Sequence, residues 1–298
     1  MSPPSFVDAE LESQPDCWRA AAQLASDRQH ALPADGERVA AIGCGTSRSM
    51  AQAYAARREA LGLGETDAFA ASQFPLGRRY DSVVLLSRSG TTTEVVRLLD
   101  RIDGPRTIAI TAAPDSPLAA RATETVLLTD ASERSVVQTR FATTALALLR
   151  ASLADGDLDR AITDADQAIP MPLPATAGDH EHLTFLGLGW VEGLADEAAL
   201  KCREAASCWA ESYAAMEYRH GPMSAAGPRT LVWALGPLPA GLADETRDMG
   251  ATVVTSELEP MAELIRVQRF AVALARQRGL DPDHPRGLSF SVLLDGDH

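Results

Sequence analysis

Short apolar runs alternate with longer stretches of helical spacing along this 298-residue chain. Residues 83–86, Val-Val-Leu-Leu, form one such run, and Val95, Val96, Leu98 and Leu99 follow on one helix face. Between them lies a polar turn around Gly90. That order predicts strand, turn, helix. Further strands are predicted at 107–111, 125–128, 230–235 and 252–254, with helical stretches between them. A helix is predicted over 6–30. Alternating strands and helices imply parallel sheets with helices on both faces.

The pattern occurs twice. A strand ending at Gly43 leads through a glycine turn into a helix in "RVAAIGCGTSRSMAQAYAARREA", which begins at Arg38. The same layout returns in "HLTFLGLGWVEGLADEAALKCREA", with Ile42-Gly43-Cys44-Gly45 matching Leu186-Gly187-Leu188-Gly189, 144 residues further on. This points to an internal duplication. The stretch "DQAIPMPLPATAGDH" (166–180) has three prolines and a shifted composition, as a join would. The expected organisation is a leader helix (1–34), a first domain (35–165), a linker (166–180) and a second domain with a tail (181–298).

Composition narrows the function classes. Apolar residues make up 46% of the chain, as in ordinary globular proteins. No apolar stretch is long enough to span a bilayer. The amino terminus has acids where a secretion signal needs a basic start and an apolar core, so a cytoplasmic location is expected. The cysteines at 17, 44, 202 and 208 form no CxxC pair and read as reduced structural thiols. A net charge of −14 argues against nucleic acid as partner. It also requires that any anion site be locally positive.

Five hydroxyl residues, Ser87, Ser89, Thr91, Thr92 and Thr93, crowd around Gly90. Capping a helix takes one. Beyond the carboxyl end of a parallel strand, such a surplus suits a ligand rich in acceptor oxygens. Hydrogen bonds to a charged group contribute about 1.5–3 kcal/mol each, so three or four would hold a phosphate. Arg88 adds positive charge. The other reading is a cap with a solvated loop, and the second hydroxyl turn, Thr46, Ser47 and Ser49, shifts the balance toward phosphate. The second copy has Trp190 and Val191 in place of Thr46 and Ser47, so one polar pocket per chain is expected, built on the first copy. There is no GxxxxGK[ST] and no third glycine of a dinucleotide fingerprint.

The second half carries "ALKCREAASCWAESYAAMEYRHGP" (199–222). Lys201 and Glu204 share a helix face three residues apart, as a surface ion pair or as paired catalytic groups. His220 stands before the helix-ending Gly221-Pro222, either as a cation at a helix end or as a group that titrates near neutral pH in a cleft. Phosphate hydroxyls together with Glu, Lys and His suit proton transfer on a phosphorylated sugar. A carboxylate moves a proton between C1 and C2, a lysine stabilises the enediolate, and a histidine opens the ring. Each placed acid or base contributes about 10²–10⁴-fold.

"CGTSRS", "LLSRSGTTTE", "ERSVVQTRFATT" and "ALKCREAASCWAESYAAMEYRHGP" resemble the sugar isomerase (SIS) domain family. The likeness is nearest to the tandem isomerase half of glucosamine-6-phosphate synthase and to related sugar-phosphate deaminases and deglycases. It runs over about residues 35–298. The resemblance implies an α/β fold of two SIS domains, each a five-stranded parallel sheet flanked by helices, doubly wound and flavodoxin-like. It also implies a homodimer with shared active sites. It assigns Gly45, Thr46 and Ser47 to the sugar phosphate, and Ser87, Ser89 and Thr92 to the phosphate cradle. Arg88 stands where the family often has Gln. Val136 and Gln138 fall at positions lining the sugar pocket. Glu204 matches the proton carrier, Lys201 the charge-stabilising lysine, and His220 the ring-opening histidine, which in the family reaches the neighbouring subunit's site.

Two departures shape the expected activity. The chain starts at the leader helix, so no glutaminase domain is expected. Phe290 in "HPRGLSFSVLLDGDH" stands where the synthases carry a tail lysine. Both favour a phosphosugar isomerase or amino-sugar-phosphate deaminase, or a fructosamine-6-phosphate deglycase, over a synthase. The rival class is a non-catalytic sugar-phosphate-binding regulator. No cofactor and no metal are expected, because no cluster has metal-ligand spacing. The expected partners are a phosphorylated sugar or amino sugar and a second copy of the chain, with neither nucleic acid nor membrane.

Overall fold

The computed structural model describes residues 5–174 and 179–294. Residues 175–178 of the expected linker lie outside the described residues. The described chain divides into two compact units. The first comprises Asp16–Arg134, Gln138–Gly156 and the tail from Ser289. The second comprises the segment up to Pro15, Ser135–Val137 and Asp157–Leu288.

The first unit is built on five parallel strands: β1 (Val39–Gly43), β2 (Thr66–Ala70), β3 (Ser82–Leu86), β4 (Arg106–Thr111) and β5 (Glu124–Leu127), in the order β2-β1-β3-β4-β5. Around it stand α2 (Gln14–Asp27), α3 (Thr46–Ala60), α4 (Thr93–Leu99), α5 (Pro117–Arg121) and α6 (Arg140–Ser152). Every residue of β1 and β3 is buried, as a strand covered on both faces requires. Ile42, Val83, Leu85, Val95, Leu98 and Ala109 belong to one core cluster.

The second unit has α1 (Phe6–Glu12), α7 (Leu158–Ala168), β6 (His182–Gly187), α8 (Val191–Ala206), β7 (Trp209–Ala214), β8 (Thr230–Ala234), α9 (Leu242–Asp248), β9 (Thr252–Val254) and α10 (Pro260–Gln277). Its parallel sheet runs β7-β6-β8-β9, the order of the first four strands of the first unit. The expected fifth strand is not found among the described residues. After β9 the chain passes through the cap Glu259, which accepts the Met261 N–H at 2.7 Å, directly into 18-residue α10. Residues 278–288, beyond that helix, are rich in Gly, Pro and Asp and offer no apolar run.

Both strand–helix turns rest on the same steric device. A Cβ at Gly43 would lie 2.4 Å from the Ser47 carbonyl carbon, and one at Gly187 would lie 2.3 Å from the Val191 carbonyl oxygen. Each helix therefore starts against the bare backbone of its strand. The amino-terminal helix expected over 6–30 is split at Ser13, just before Pro15, whose ring and missing N–H interrupt a helix interior. Unlike the other two edge strands, β5 and β9, strands β2 (TDAFA) and β7 (WAESYA) escape sequence patterning because they carry no apolar run. Their residues mix polar and small types and are mostly half-buried. Among the described residues no helix is long and apolar enough to cross a membrane.

Candidate active site

In the first sheet the chain leaves β1 toward β2 on one side and returns to β3 on the other, so the order reverses between β1 and β3. Ligands of open α/β sheets bind beyond the carboxyl ends of the strands at such a switch point. Both hydroxyl turns lie there. Ile42 and Leu85 are register partners at the ends of the paired strands. The turn after β1 brings Gly45 at φ 54°, then Thr46 and Ser47, both buried, at the start of α3. The turn after β3 brings Ser87, Arg88, Ser89 and Thr92. Cys44 links the two turns, its Sγ 3.7 Å from Glu94 Oε2. Burial, reinforced by the Glu94 carboxylate, pushes that thiol up to about 11.

The second turn is ordered from within. Gly90 adopts φ 62°, and a Cβ there would meet Ser116 Oγ at 2.1 Å. The Gly90 N–H donates to Ser87 Oγ at 3.1 Å, and Ser87 Oγ lies 3.3 Å from Thr92 Oγ1. The carboxyl-terminal tail meets the same turn. Ser291 Oγ is 3.0 Å from the hydroxyls of both Ser89 and Thr91. The Thr93 N–H donates to the Val292 carbonyl at 3.1 Å, and the Leu294 N–H to Thr93 Oγ1 at 3.0 Å. The Arg88 guanidinium donates to the Phe290 carbonyl at 2.9 Å and lies 3.9 Å from the centre of the Phe290 ring.

Arg88 also pairs with Glu133 at 3.2 Å, and both side chains are buried. Sequence reasoning passed over Glu133. Its carboxylate accepts the N–H groups of Thr139 and Arg140, each at 2.7 Å, at the start of α6. Those are donors a helix cannot satisfy itself. One acid thus caps α6 and fixes the cation of the hydroxyl turn, so the Arg88 charge is directed at Glu133 and the tail. Arg88, Ser89, Thr91, Ala112, Ala113, Ser132 and Phe290 line a cavity of about 290 Å³.

Residues 34–154, which carry both hydroxyl turns on this switch point, match the family described as "SIS domain". This segment is a SIS domain. Curated relatives extend the likeness along the chain. The "Glutamine--fructose-6-phosphate aminotransferase [isomerizing]" of Bacillus spizizenii is 26% identical over 98% of this chain and 59% of its own length. That of Escherichia coli is 27% identical over 87% of this chain and 52% of its own. The chain therefore spans a little over half the length of these relatives. Among solved structures, glucosamine-6-phosphate deaminase from Thermotoga maritima superposes with a TM-score of 0.81 at 24% identity, covering 96% of this chain and 99% of that one. Tagatose-6-phosphate ketose/aldose isomerase from Escherichia coli gives 0.79 at 19% identity, covering 96% and 99%. These two likenesses show the fold.

The remaining candidates around α8 lie outside the SIS segment, in the second unit. Lys201 and Glu204 do share a helix face and are hydrogen-bonded, but not as a surface pair. The Lys201 side chain is 1% exposed and that of Glu204 21%. Glu197, one turn earlier and also buried, brings Oε1 to 3.5 Å from the Lys201 ammonium. Sequence reasoning missed this third member, although its four-residue spacing was legible. His220 is exposed on a 3₁₀ turn, Glu217–His220, before Gly221 at φ 139°. The structure does not bring it to Glu204 within the unit. Helix α8 returns to the amino ends of the parallel strands, where β7 begins, whereas His220 follows the carboxyl end of β7. Six residues of strand, about 20 Å at the usual rise, separate those edges. Val136 is held by its N–H to the Asp283 carbonyl (3.0 Å) in the second unit, and Gln138 is half-buried in the first. Among the described residues no group of three His, Cys, Asp or Glu could hold a metal ion.

Proposed function

We propose that this protein is a phosphosugar isomerase or amino-sugar-phosphate deaminase acting on a hexose or amino-hexose 6-phosphate, in two SIS domains per chain. The reading rests foremost on the meeting of two hydroxyl turns at the switch point of the first sheet. Thr46, Ser47, Ser87, Ser89 and Thr92 hold the phosphate, whose oxygens replace the Ser291 hydroxyl beside Ser89 and Thr91. Glu204 takes the proton from one of C1 and C2 and returns it to the other through an enediol or enolamine. It is the more exposed carboxylate of the buried trio, so it alone presents an oxygen to solvent. Lys201, held between two carboxylates, offsets the charge of the enediolate. His220 opens the ring in the site of a second copy, which accords with its position at the opposite sheet edge from Glu204. Val136 and Gln138 line the sugar.

The names of the relatives, an isomerising fructose-6-phosphate aminotransferase, a glucosamine-6-phosphate deaminase and a tagatose-6-phosphate ketose/aldose isomerase, all carry a hexose or amino-hexose 6-phosphate, which supports this substrate class. Glu204→Gln should abolish turnover on a panel of hexose and amino-hexose phosphates, scored for isomerisation and ammonia release, while phosphosugar affinity stays within a few-fold. Turnover unchanged in that variant would remove Glu204 from the mechanism. One observation favours a second reading, a sugar-phosphate-binding regulator: the Arg88 charge is engaged by Glu133 and the Phe290 ring. Saturable phosphosugar binding with no turnover across the whole panel would select it.

A further inference from the structure

Cys202 lies in the last turns of α8, and Cys208 just before β7. Between them Ser207, a non-glycine residue, takes the left-handed region at φ 49° and ends the helix. The turn folds the chain back on itself, so that Cys208 Sγ donates to the Cys202 carbonyl at 3.0 Å. The two thiols are neighbours across this turn. Cys202 is fully buried, whereas Cys208 keeps 9% of its surface. Arg278 donates to the carbonyls of Ala206 at 2.8 Å and Ser207 at 3.3 Å, and Arg203 donates to that of Ala210 at 2.6 Å. Two guanidinium groups thus flank this turn.

The two sulfurs differ in character. The hydrogen bond from Cys202, with the charges of Arg278 and Arg203, holds the Cys208 thiol below the usual range despite its burial. Burial pushes Cys202 well above it. The sulfur that keeps some exposure and the lowered value, beside one that is fully buried with a raised value, matches the division of labour of an attacking and a resolving cysteine.

We propose that Cys202 and Cys208 form a reversible oxidation site, closing to a disulfide when the protein meets a hydroperoxide. The Cys208 thiolate attacks one peroxide oxygen and the O–O bond breaks. With hydrogen peroxide, the departing oxygen leaves as water and Cys208 becomes the sulfenic acid. Cys202 sulfur then attacks Cys208 sulfur, the S–S bond forms, and a second water is expelled. Two thiols lose two electrons and two hydrogens, and one peroxide becomes two waters. A dithiol reverses the bond. Because Cys202 stands between Lys201 and Glu204, the bond pins the turn that carries both. That consequence rests on the proposed function, whereas the oxidation site does not.

The chain supplies its own test, since trypsin cuts after Lys201 and Arg203, between the two cysteines. After hydrogen peroxide treatment of the native full chain, two of its four cysteines should no longer titrate as thiols. A digest made without reductant should hold Cys202-Arg203 attached to the 204–219 peptide. Dithiothreitol should restore all four thiols. Cys202→Ser should leave Cys208 as a sulfenic acid that dimedone traps, and Cys208→Ser should leave Cys202 a thiol. Four surviving thiols, a sulfinic Cys208 with no linked peptide, or a link through Cys17 or Cys44 would overturn the proposal, and these outcomes are read on the native chain without any variant. Phosphosugar turnover should fall with the linked peptide and recover with dithiothreitol. A linked peptide with turnover intact would overturn the effect on Lys201 and Glu204. Absence of turnover in the reduced protein would count against the proposed function alone, because the peptide map still decides the oxidation site.

Discussion

At the residue scale the most consequential side chain is Lys201. It is almost fully buried and sits between Glu197 and Glu204. An ammonium in such a place is held by its counter-charges, and removing it leaves a carboxylate buried without compensation. Breaking a buried pair from one side costs about 3–5 kcal/mol. Lys201→Met should therefore lower the urea midpoint strongly, whereas Glu204→Gln, which leaves Glu197 its partner, should shift it far less. Equal midpoints for the two variants would contradict the buried trio. Asp8 offers a pH-dependent case. Burial pushes its carboxyl up, but the hydrogen bonds from Arg276 and Ser5 and the Arg276 charge outweigh it, so the folded value lies below the ordinary 3.8. A lowered folded value means the stabilisation is complete above 3.8 and is lost as pH falls through the folded value. The pair is partly exposed, so its worth is about 0.2–1 kcal/mol. Asp8→Asn should cost that much at neutral pH and nothing at pH well below the folded value, by urea unfolding at both.

At the element scale the two strand–helix turns share one dependence. Gly43 and Gly187 let α3 and α8 begin within contact distance of the strands they leave. Gly43→Ala would drive a methyl to 2.4 Å from the Ser47 carbonyl carbon, and the backbone, not a flexible side chain, would have to give. The expected cost is about 1–3 kcal/mol, the range for overpacking. Under the proposed function, in which Thr46 and Ser47 hold the phosphate, its affinity should fall as well, because both ride on the displaced helix start. Thermal denaturation and phosphate titration of Gly43→Ala should move together, while Gly187→Ala should destabilise without weakening phosphate. The turn after β3 shows why an element's chemistry is not read from composition alone. Its hydroxyls bond to one another, to Ser291 and through Thr93 to the tail, a segment about two hundred residues away along the chain.

At the scale of the whole molecule the question is which copy supplies each group. Glu204 precedes the amino end of β7 and His220 follows its carboxyl end, so the proposed reaction would take the two groups from different chains of a dimer. Mixing Glu204→Gln with His220→Asn chains, each inactive alone, should then restore about a quarter of the wild-type activity, since half of randomly formed dimers carry one intact site of two. No recovery, with mixed dimers verified by mass, would place both groups in one chain's site or remove one from the reaction. The Cys202–Cys208 site belongs to this scale through its effect on Lys201 and Glu204, and its chemistry is decided within one turn of one chain.

What the sequence by itself determined was everything carried by local spacing. The buried strands β1, β3, β4, β6 and β8 announce themselves as apolar runs, because a strand covered on both faces admits little else. The glycine turns repeat in register because each helix must pass close to bare backbone. The hydroxyl surplus at 87–93 marks the polar turn. Tertiary structure decided what depends on distant partners. Strands β2 and β7 carry no apolar run, because their mostly half-buried positions admit polar and small residues. Among the described residues the second sheet has four strands, and the chain goes from β9 through a short loop into α10. Arg88 meets Glu133 and Phe290 rather than open solvent, and Lys201 is buried between two acids, because burial is set by what packs over a residue and no spacing along the chain records it.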